Sequence, residues 1–209
     1  MTPDDFVARL RRERASAILR TPIESAAAPA MDAAIRGGFT IVEFTLTIPK
    51  ALERIAEFAK RDVIVGAGTV MSVDQARDAV KAGARFLVSP VVDEAVIKAA
   101  ADLGVAMLPG AYTPTEMLRA HRAGAPLVKL FPAPHDGPTF LRQVLGPMPF
   151  LRIVPTAGVD ASNAQAMLEA GAWAVGFVSS LFDGGELKRG DWAAVEGRAR
   201  VLRAAVRPT

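Results

Sequence analysis

The 209-residue chain contains no cysteine, and its only histidines are His121 and His135. The lack of cysteine excludes disulfides and thiolate metal sites. The two histidines lie far apart and without an acidic cluster, so we expect no metal site. No apolar run reaches the roughly 20 residues needed to span a bilayer. The N-terminus also lacks the apolar core of a signal peptide, and we expect a cytoplasmic protein without a membrane partner.

Acidic residues are slightly outnumbered, with a net charge of +3 and a sequence pI of about 9.6. The excess arginines cluster at the two ends, in "RLRRERA" (9–15) and "GRARVLRAAVRPT" (197–209). Such clusters are compatible with a nucleic-acid-binding surface and also with a pair of solvated terminal helices. No nucleic-acid-binding motif accompanies them, so we favour the helices and expect no nucleic-acid partner. Surplus positive charge also attracts anionic substrates.

Short apolar runs alternate along the chain with stretches of helical periodicity. Several of the joins carry a glycine after the last helical turn, which is typical of a helix stop. Runs that are apolar on both faces indicate a buried parallel sheet. The eight runs are "SAILR" (16–20), "TIVEFTL" (40–46), "VIVGAG" (63–68), "RFLVSP" (85–90), "VAMLPG" (105–110), "LVKLFP" (127–132), "RIVPTAG" (152–158) and "WAVGFV" (173–178).

Eight strand–helix units in one chain predict a (β/α)8 barrel, an α/β fold. The alternative is an open doubly wound sheet, but no Gly-x-Gly-x-x-Gly opens a helix after the first strand. No linker divides residues 1–209, so we predict a single barrel domain. The first 14 or so residues predict an extra N-terminal helix. Residues 191–203 predict a closing helix, and residues 183–191 a loop.

Two charged residues interrupt the apolar pattern inside predicted strands, Glu43 in the second and Lys129 in the sixth. Val128 and Leu130 have the opposite parity to Lys129 and would face the helices, which turns Lys129 inward. The second and sixth strands of a closed eight-stranded barrel lie across from each other. An inward pair is either a buried ion pair kept for packing or a reactive pair. An outward Lys129, with its amine reaching solvent between helices, is the remaining alternative.

A desolvated lysine has a lowered pKa and becomes an amine nucleophile that forms Schiff bases with ketones and aldehydes. The iminium draws electrons from the neighbouring carbon and so permits carbon–carbon cleavage or aldol addition. Such chemistry needs a proton shuttle, and a carboxyl group with a raised pKa is suited to that work. Glu43 is the only acid placed to serve Lys129. The reactive interpretation therefore explains both residues.

Six segments resemble the bacterial 2-keto-3-deoxy-6-phosphogluconate (KDPG) and 4-hydroxy-2-oxoglutarate (KHG) aldolases, in order and in spacing. The resemblance runs from about residue 16 to residue 182. It implies a class I, metal-independent lyase that needs no cofactor and releases pyruvate from a small 2-keto acid. The segments are "EFTLT" (43–47), "GAGTV" (66–70), "SP" (89–90), "LPGAYTPTE" (108–116), "KLFPA" (129–133) and "PTAGV" (155–159).

The resemblance also implies roles for individual residues. Lys129 would be the Schiff-base lysine and Glu43 the general acid and base, with Thr69 and Pro90 lining the pyruvate pocket. One branch of the family binds the carboxylate of pyruvate with an arginine in a "TLR" tripeptide, where this chain has Thr47. The branch of 6-phosphogalactonate (KDPGal) aldolases places an arginine after the first strand, which Arg20 matches. Members of the family are typically homotrimers, and we expect one here.

The family binds the substrate phosphate at glycine-rich turns after the seventh and eighth strands. The matching residues here are Thr156, Gly158 and Ser179, which we expect to bind substrate. Phe177 and Val178 occupy positions where the family commonly has glycine. Bulky side chains there would keep a phosphate from the backbone, which favours an unphosphorylated substrate such as KHG.

Two other interpretations use the same barrel frame. A phosphate-binding isomerase or synthase would keep the glycine-rich turns, which are eroded here. A non-catalytic binding module would have no reason to keep Lys129, Glu43, Arg20 and Thr69 together. The variant Lys129→Met separates the three, because only an aldolase must lose all turnover.

Overall fold

A computed structural model describes residues 1–206 of the chain. The helices are α1 (Pro3–Glu13), α2 (Glu24–Arg36), α3 (Ala51–Phe58), α4 (Val73–Lys81), α5 (Glu94–Asp102), α6 (Pro114–Arg122), α7 (Gly137–Leu145), α8 (Ala164–Glu169), α9 (Gly184–Arg189) and α10 (Trp192–Ala205). The strands are β1 (Ala15–Leu19), β2 (Ile41–Thr45), β3 (Ile64–Gly68), β4 (Phe86–Val88), β5 (Ala106–Leu108), β6 (Gly110–Ala111), β7 (Val128–Leu130), β8 (Ile153–Pro155) and β9 (Val175–Phe177).

All strand pairs are parallel, which confirms the predicted α/β class. One curled sheet has the order β5-β4-β3-β2-β1-β9 and the other β6-β7-β8. A parallel bridge between Thr156 and Gly176 links the end of β8 to β9. Parallel strands need a crossover between them, and the helices supply it. The carboxyl ends of the strands therefore lie on one side of the molecule.

The fifth predicted strand is divided into β5 and β6 at Pro109. Proline has no backbone N–H and cannot donate to a ladder. The residues before it pair with β4, and those after it pair with β7. The Pro109 carbonyl accepts a hydrogen bond from the Lys129 amide at 3.0 Å. This bond connects the residue between β5 and β6 to β7, the strand that carries the lysine.

Side chains from α1 fill the amino-terminal end of the strands. Phe6 stacks on Phe86 with ring centroids 4.5 Å apart, and Leu10 lies in the same buried cluster as Ile41 and Val154. The helices pack on the outer face of the strands in a second, larger cluster. Apolar material thus closes the amino-terminal end, and polar side chains are left to the carboxyl end.

The helix stops predicted at glycines are confirmed, but one predicted loop contains a helix. Gly38, Gly83, Gly124 and Gly171 all have positive φ, as predicted for helix stops. The loop predicted over 183–191 is wrong, because Gly184–Arg189 form α9. The Asp183 carboxylate accepts hydrogen bonds from two amides of the first turn and stabilises this short helix in spite of its glycines.

The terminal helices use their arginines within the fold. Arg203 of α10 donates to the Glu13 carbonyl at 2.7 Å, and Arg11 of α1 donates to the Ala172 carbonyl at 3.0 Å. These bonds support the interpretation of the basic ends as helices. Arg207, Pro208 and Thr209, which complete the predicted basic segment and the predicted domain, lie outside the described residues. Within residues 1–206, no helix is both long and apolar enough to cross a membrane.

Candidate active site

A cleft of about 430 Å³ opens at the carboxyl ends of the strands. It brings together three of the predicted substrate-binding residues, which follow three different strands. Its floor and walls combine one cation, small hydroxyl side chains and apolar rings. The lining residues are Arg20, Thr21, Pro22, Thr47, Thr69, Pro90 and Phe131.

A second, smaller cavity lies among the strands and contains the predicted reactive pair. Glu43 of β2 and Lys129 of β7 both line it, as do Ser16 and Thr156. The rest of the lining is apolar and comes from α1 and the inward positions of the strands. The inward orientation predicted for Glu43 and Lys129 is therefore correct. The alternative of an outward Lys129 is wrong, since the residue is only 5% exposed.

Burial raises the pKa of the Glu43 carboxyl above its ordinary value, and the charges of Lys129 and Arg20 oppose that rise in pKa. Among residues 1–206, no hydrogen-bond partner approaches Glu43 Oε1, which is fully buried. An ionised carboxylate in such surroundings is costly, so the environment favours the protonated acid. Glu43 is therefore suited to hold a proton and to transfer it to a neighbouring group.

Burial lowers the pKa of the Lys129 amine. Glu43 favours the charged form and opposes this shift, whereas Arg20 disfavours the charged form and adds to desolvation, which is the largest cause. The Lys129 Nζ lies 4.7 Å from the centroid of the Phe131 ring, which also lines the cleft. The amine therefore lies beside a side chain of the cleft wall, and its lowered pKa favours the neutral, nucleophilic form.

The cleft residues have their positions set by the ends of the strands. Arg20 comes directly after β1 and is exposed at the rim. Thr69 follows β3 with φ +60°, an uncommon conformation for a residue with a branched side chain. Strain of this kind persists where the surroundings hold it, and it is found often at binding sites. Thr47 lies at the same rim, and its hydroxyl is 2.8 Å from that of Thr45.

The predicted residues for the far end of the substrate divide into two groups. Thr156 is buried and lines the inner cavity beside Lys129. Gly158 and Ser179 lie on exposed turns after β8 and β9, outside both cavities. The Ser180 hydroxyl donates to the Val159 carbonyl at 2.7 Å, so the two turns are neighbours.

The predicted obstruction by Phe177 is wrong. Its side chain is fully buried on the helix side of β9 and makes an edge-to-face contact with Phe39 at 6.0 Å. Gly176, with the opposite parity, faces inward towards Ile18 and Thr156. Phe177 therefore does not approach the turns. Of the two bulky residues, only the half-buried Val178 could still keep a phosphate from the backbone.

Sequence reasoning missed several residues at the site. Ser16 of β1 is buried beside the reactive pair. Phe131 lines the cleft and lies beside the Lys129 amine. The parity of β1 could have identified Ser16, because a serine at an inward strand position needs a polar neighbour. Phe131 belongs to the "KLFPA" segment already noted, two residues after the lysine. Within residues 1–206, no three acidic or histidine side chains are grouped as metal ligands would be.

Comparison with known proteins gives the family. A family model described as "Aldolase: KDPG and KHG aldolase" matches residues 7–197. A probable 2-dehydro-3-deoxy-6-phosphogalactonate aldolase of Rhizobium meliloti is 36% identical over 173 residues, which are 81% of this chain and 82% of that protein. A 2-dehydro-3-deoxy-phosphogluconate aldolase of Pseudomonas aeruginosa is 32% identical over 200 residues, 91% of this chain and 88% of that protein.

The fold is shared with solved structures as well. KDPG aldolase from Legionella pneumophila, with pyruvate captured as a covalent carbinolamine intermediate, superposes with a TM-score of 0.85 at 25% identity. The match covers 94% of this chain and 97% of that one. These findings confirm the predicted enzyme class, a carbon–carbon lyase of the class I, Schiff-base type, over the isomerase and binding-module alternatives. The chain belongs to the KDPG and KHG aldolase family.

Proposed function

We propose that Lys129 is the Schiff-base nucleophile of this aldolase and that Glu43 is its general acid and base. The observation that carries the proposal is the joint burial of the two side chains in one cavity, with the Lys129 amine beside Phe131 of the cleft. Burial lowers the pKa of Lys129 and raises the pKa of Glu43. A buried ion pair kept only for packing would return little for its desolvation, whereas a neutral amine and a neutral acid are what the reaction needs.

The proposed reaction begins when the neutral Lys129 amine attacks the C2 carbonyl of the 2-keto acid. The carbinolamine loses water, with Glu43 supplying the proton, and an iminium results. The iminium accepts the electron pair of the C3–C4 bond as that bond breaks, while the C4 hydroxyl gives its proton to the Glu43 carboxylate and becomes the carbonyl of the released aldehyde. Glu43 returns that proton to C3 of the enamine. Water then hydrolyses the iminium, which releases pyruvate and restores the neutral amine and the protonated Glu43.

Arg20 is proposed to bind the carboxylate of the 2-keto acid. Among the described residues that line the cleft, it is the one cation. A guanidinium binds a carboxylate bidentately, which fixes the orientation of the C2 carbonyl as well as its distance from the amine. Thr69 and Pro90 face the same cleft and are proposed to enclose the methylene side of the substrate, with Thr156 closer to the reacting atoms. Gly158 and Ser179 are proposed to meet the far end.

The substrate class is proposed to be a 2-keto-3-deoxy sugar acid, with or without a phosphate, or a 4-hydroxy-2-oxoglutarate-like acid.

We further propose that residues 1–209 form one domain in which the two sheets close into a (β/α)8 barrel, with α1 as an additional N-terminal helix. The bridge between β8 and β9 and the bond from the Lys129 amide to Pro109 support closure at both joins. An anionic substrate crosses a bilayer poorly, which supports a cytoplasmic location beside the source of the substrate.

A reduced pyruvate adduct is expected on Lys129 when the enzyme is treated with pyruvate and borohydride. Intact mass followed by peptide mapping detects it, because reduction fixes the iminium to the peptide. Lys129→Met should form no adduct and lose all turnover while keeping its fold. Lys98→Met, which changes an exposed lysine of α5, is the matched control and should retain both. An adduct elsewhere, or none in folded wild-type protein, would refute the assignment.

Arg20→Gln is expected to raise the KM for 2-keto acid substrates about 10- to 100-fold, which corresponds to the loss of charge-assisted hydrogen bonds of roughly 1.5–3 kcal/mol. Arg20→Lys should recover only part of the loss, since an ammonium lacks the planar fork. Steady-state kinetics measure both. Arg36→Gln, on the exposed face of α2, is the control and should leave KM unchanged. An unaltered KM in Arg20→Gln would place the carboxylate elsewhere.

Lys129→Met is also expected to raise the free energy of unfolding, by about 1 kcal/mol at neutral pH, because it removes a desolvated amine and leaves Glu43 as a neutral acid rather than as an unpaired charge. The folded-state pKa of Lys129 is lowered, so its penalty is full below that pKa and disappears as the pH rises towards the ordinary lysine value of 10.5. The advantage of the variant should therefore decline with rising pH. Urea unfolding from pH 6 upwards tests this. A constant or growing advantage would contradict it.

We propose a homotrimer, with the family resemblance as its first support. Three large apolar side chains, Met71, Val91 and Tyr112, are each about half exposed on loops at the carboxyl ends of the strands. Sedimentation equilibrium should give three times the 22.1 kDa mass of one chain. Val91→Lys should lower that mass if these loops are the interface, and Val201→Lys, an exposed position on α10, should not. A monomer or dimer in the wild type would refute the trimer.

A further inference from the structure

Gly68, the last residue of β3, lies against the carboxyl group of Glu43. A Cβ built on Gly68 would be 1.9 Å from Glu43 Oε1, 2.7 Å from Cδ and 3.1 Å from Cγ. Two atoms cannot approach that closely without one of them moving. The Glu43 side chain therefore occupies the volume that any other residue at position 68 would fill.

Backbone conformation does not explain the glycine at this position. The φ angle of Gly68 lies outside the left-handed range, unlike that of the next residue, Thr69. Gly68 is a regular strand residue paired with Thr45, and its carbonyl accepts a hydrogen bond from the Leu46 amide at 2.8 Å. An alanine would fit this backbone. What excludes a side chain is the space that Glu43 takes.

The Glu43 carboxyl has little else to fix its position. Oε1 is fully buried, and no polar group of residues 1–206 forms a hydrogen bond with this oxygen. The remaining walls of the cavity around it are mainly apolar, among them Phe86 and Ile41. Van der Waals contact rather than hydrogen bonding thus fixes the position of the side chain, and the carboxyl group packs against the backbone of β3 at Gly68.

We infer that Gly68 is a positioning residue of the reaction, which acts through Glu43 by leaving the carboxyl group room beside β3. The inference rests on the proposed role of Glu43 as acid and base. Proton transfer needs the carboxyl within hydrogen-bond reach of the reacting group, and a displacement of about 1 Å can cost 10²-fold in rate. The inference adds a specific requirement to the catalytic pair, namely a position without a side chain on the neighbouring strand.

Gly68→Ala is expected to lower kcat about 100-fold with little change in KM, and to shift the pH dependence of kcat. The variant should fold, because the added methyl meets the far end of a flexible side chain rather than backbone. A double-mutant cycle with Glu43→Gln carries the test. If Gly68 acts through Glu43, adding Gly68→Ala to Glu43→Gln should produce no further loss. If turnover of Glu43→Gln is too slow to follow, the rate of pyruvate trapping by borohydride gives the same comparison.

Gly197 of α10 is the control. Among the described residues, nothing lies within 4 Å of a Cβ built there, so Gly197→Ala should change neither kcat nor its pH dependence. Unchanged kcat in Gly68→Ala, or an equal further loss in the Glu43→Gln background, would overturn the inference. Absence of the Lys129 adduct in the wild type would instead show that the proposed function has failed.

Discussion

The desolvation of Lys129 and Glu43 is the constraint on which the rest of the site depends. Two ionisable side chains lie in one cavity with mostly apolar walls, and burial shifts their pKa values in opposite directions towards the neutral forms. A buried pair of this kind returns little stability for its desolvation, which favours a role in catalysis over one in packing. The Schiff-base chemistry proposed for the pair requires that water be excluded below the amine and that substrate be admitted above it.

The fold meets the first requirement from below. Phe6 and Leu10 of α1 close the amino-terminal end of the strands against Phe86 and Ile41. The space between the strands then has room for only a thin polar layer, since inward apolar side chains such as Ile18, Val88 and Leu108 line most of it. Glycines make that room: Gly68 for Glu43 and Gly176 for Thr156.

The second requirement is met at the carboxyl ends of the strands. The cleft there contains Arg20 at its rim, and Phe131 of its wall lies beside the Lys129 amine. One cation among the described lining residues suits a substrate with one carboxylate next to the reacting carbonyl. Arg20 follows β1 and Lys129 belongs to β7, so the groups proposed to orient the substrate and to react with it lie at a separation that the fold sets.

The sequence by itself determined the strand–helix repeat, the helix stops at glycine, the inward parity of Glu43 and Lys129, and the family. These follow from local periodicity and from motifs, so no knowledge of distant contacts was needed. Only the tertiary structure decided the strands with which the residues on either side of Pro109 pair, the outward packing of Phe177 and the contact between Gly68 and Glu43. Each of these depends on which surfaces meet across the fold. The free energy of such contacts comes from residues that are distant in the sequence, so no single segment predicts it.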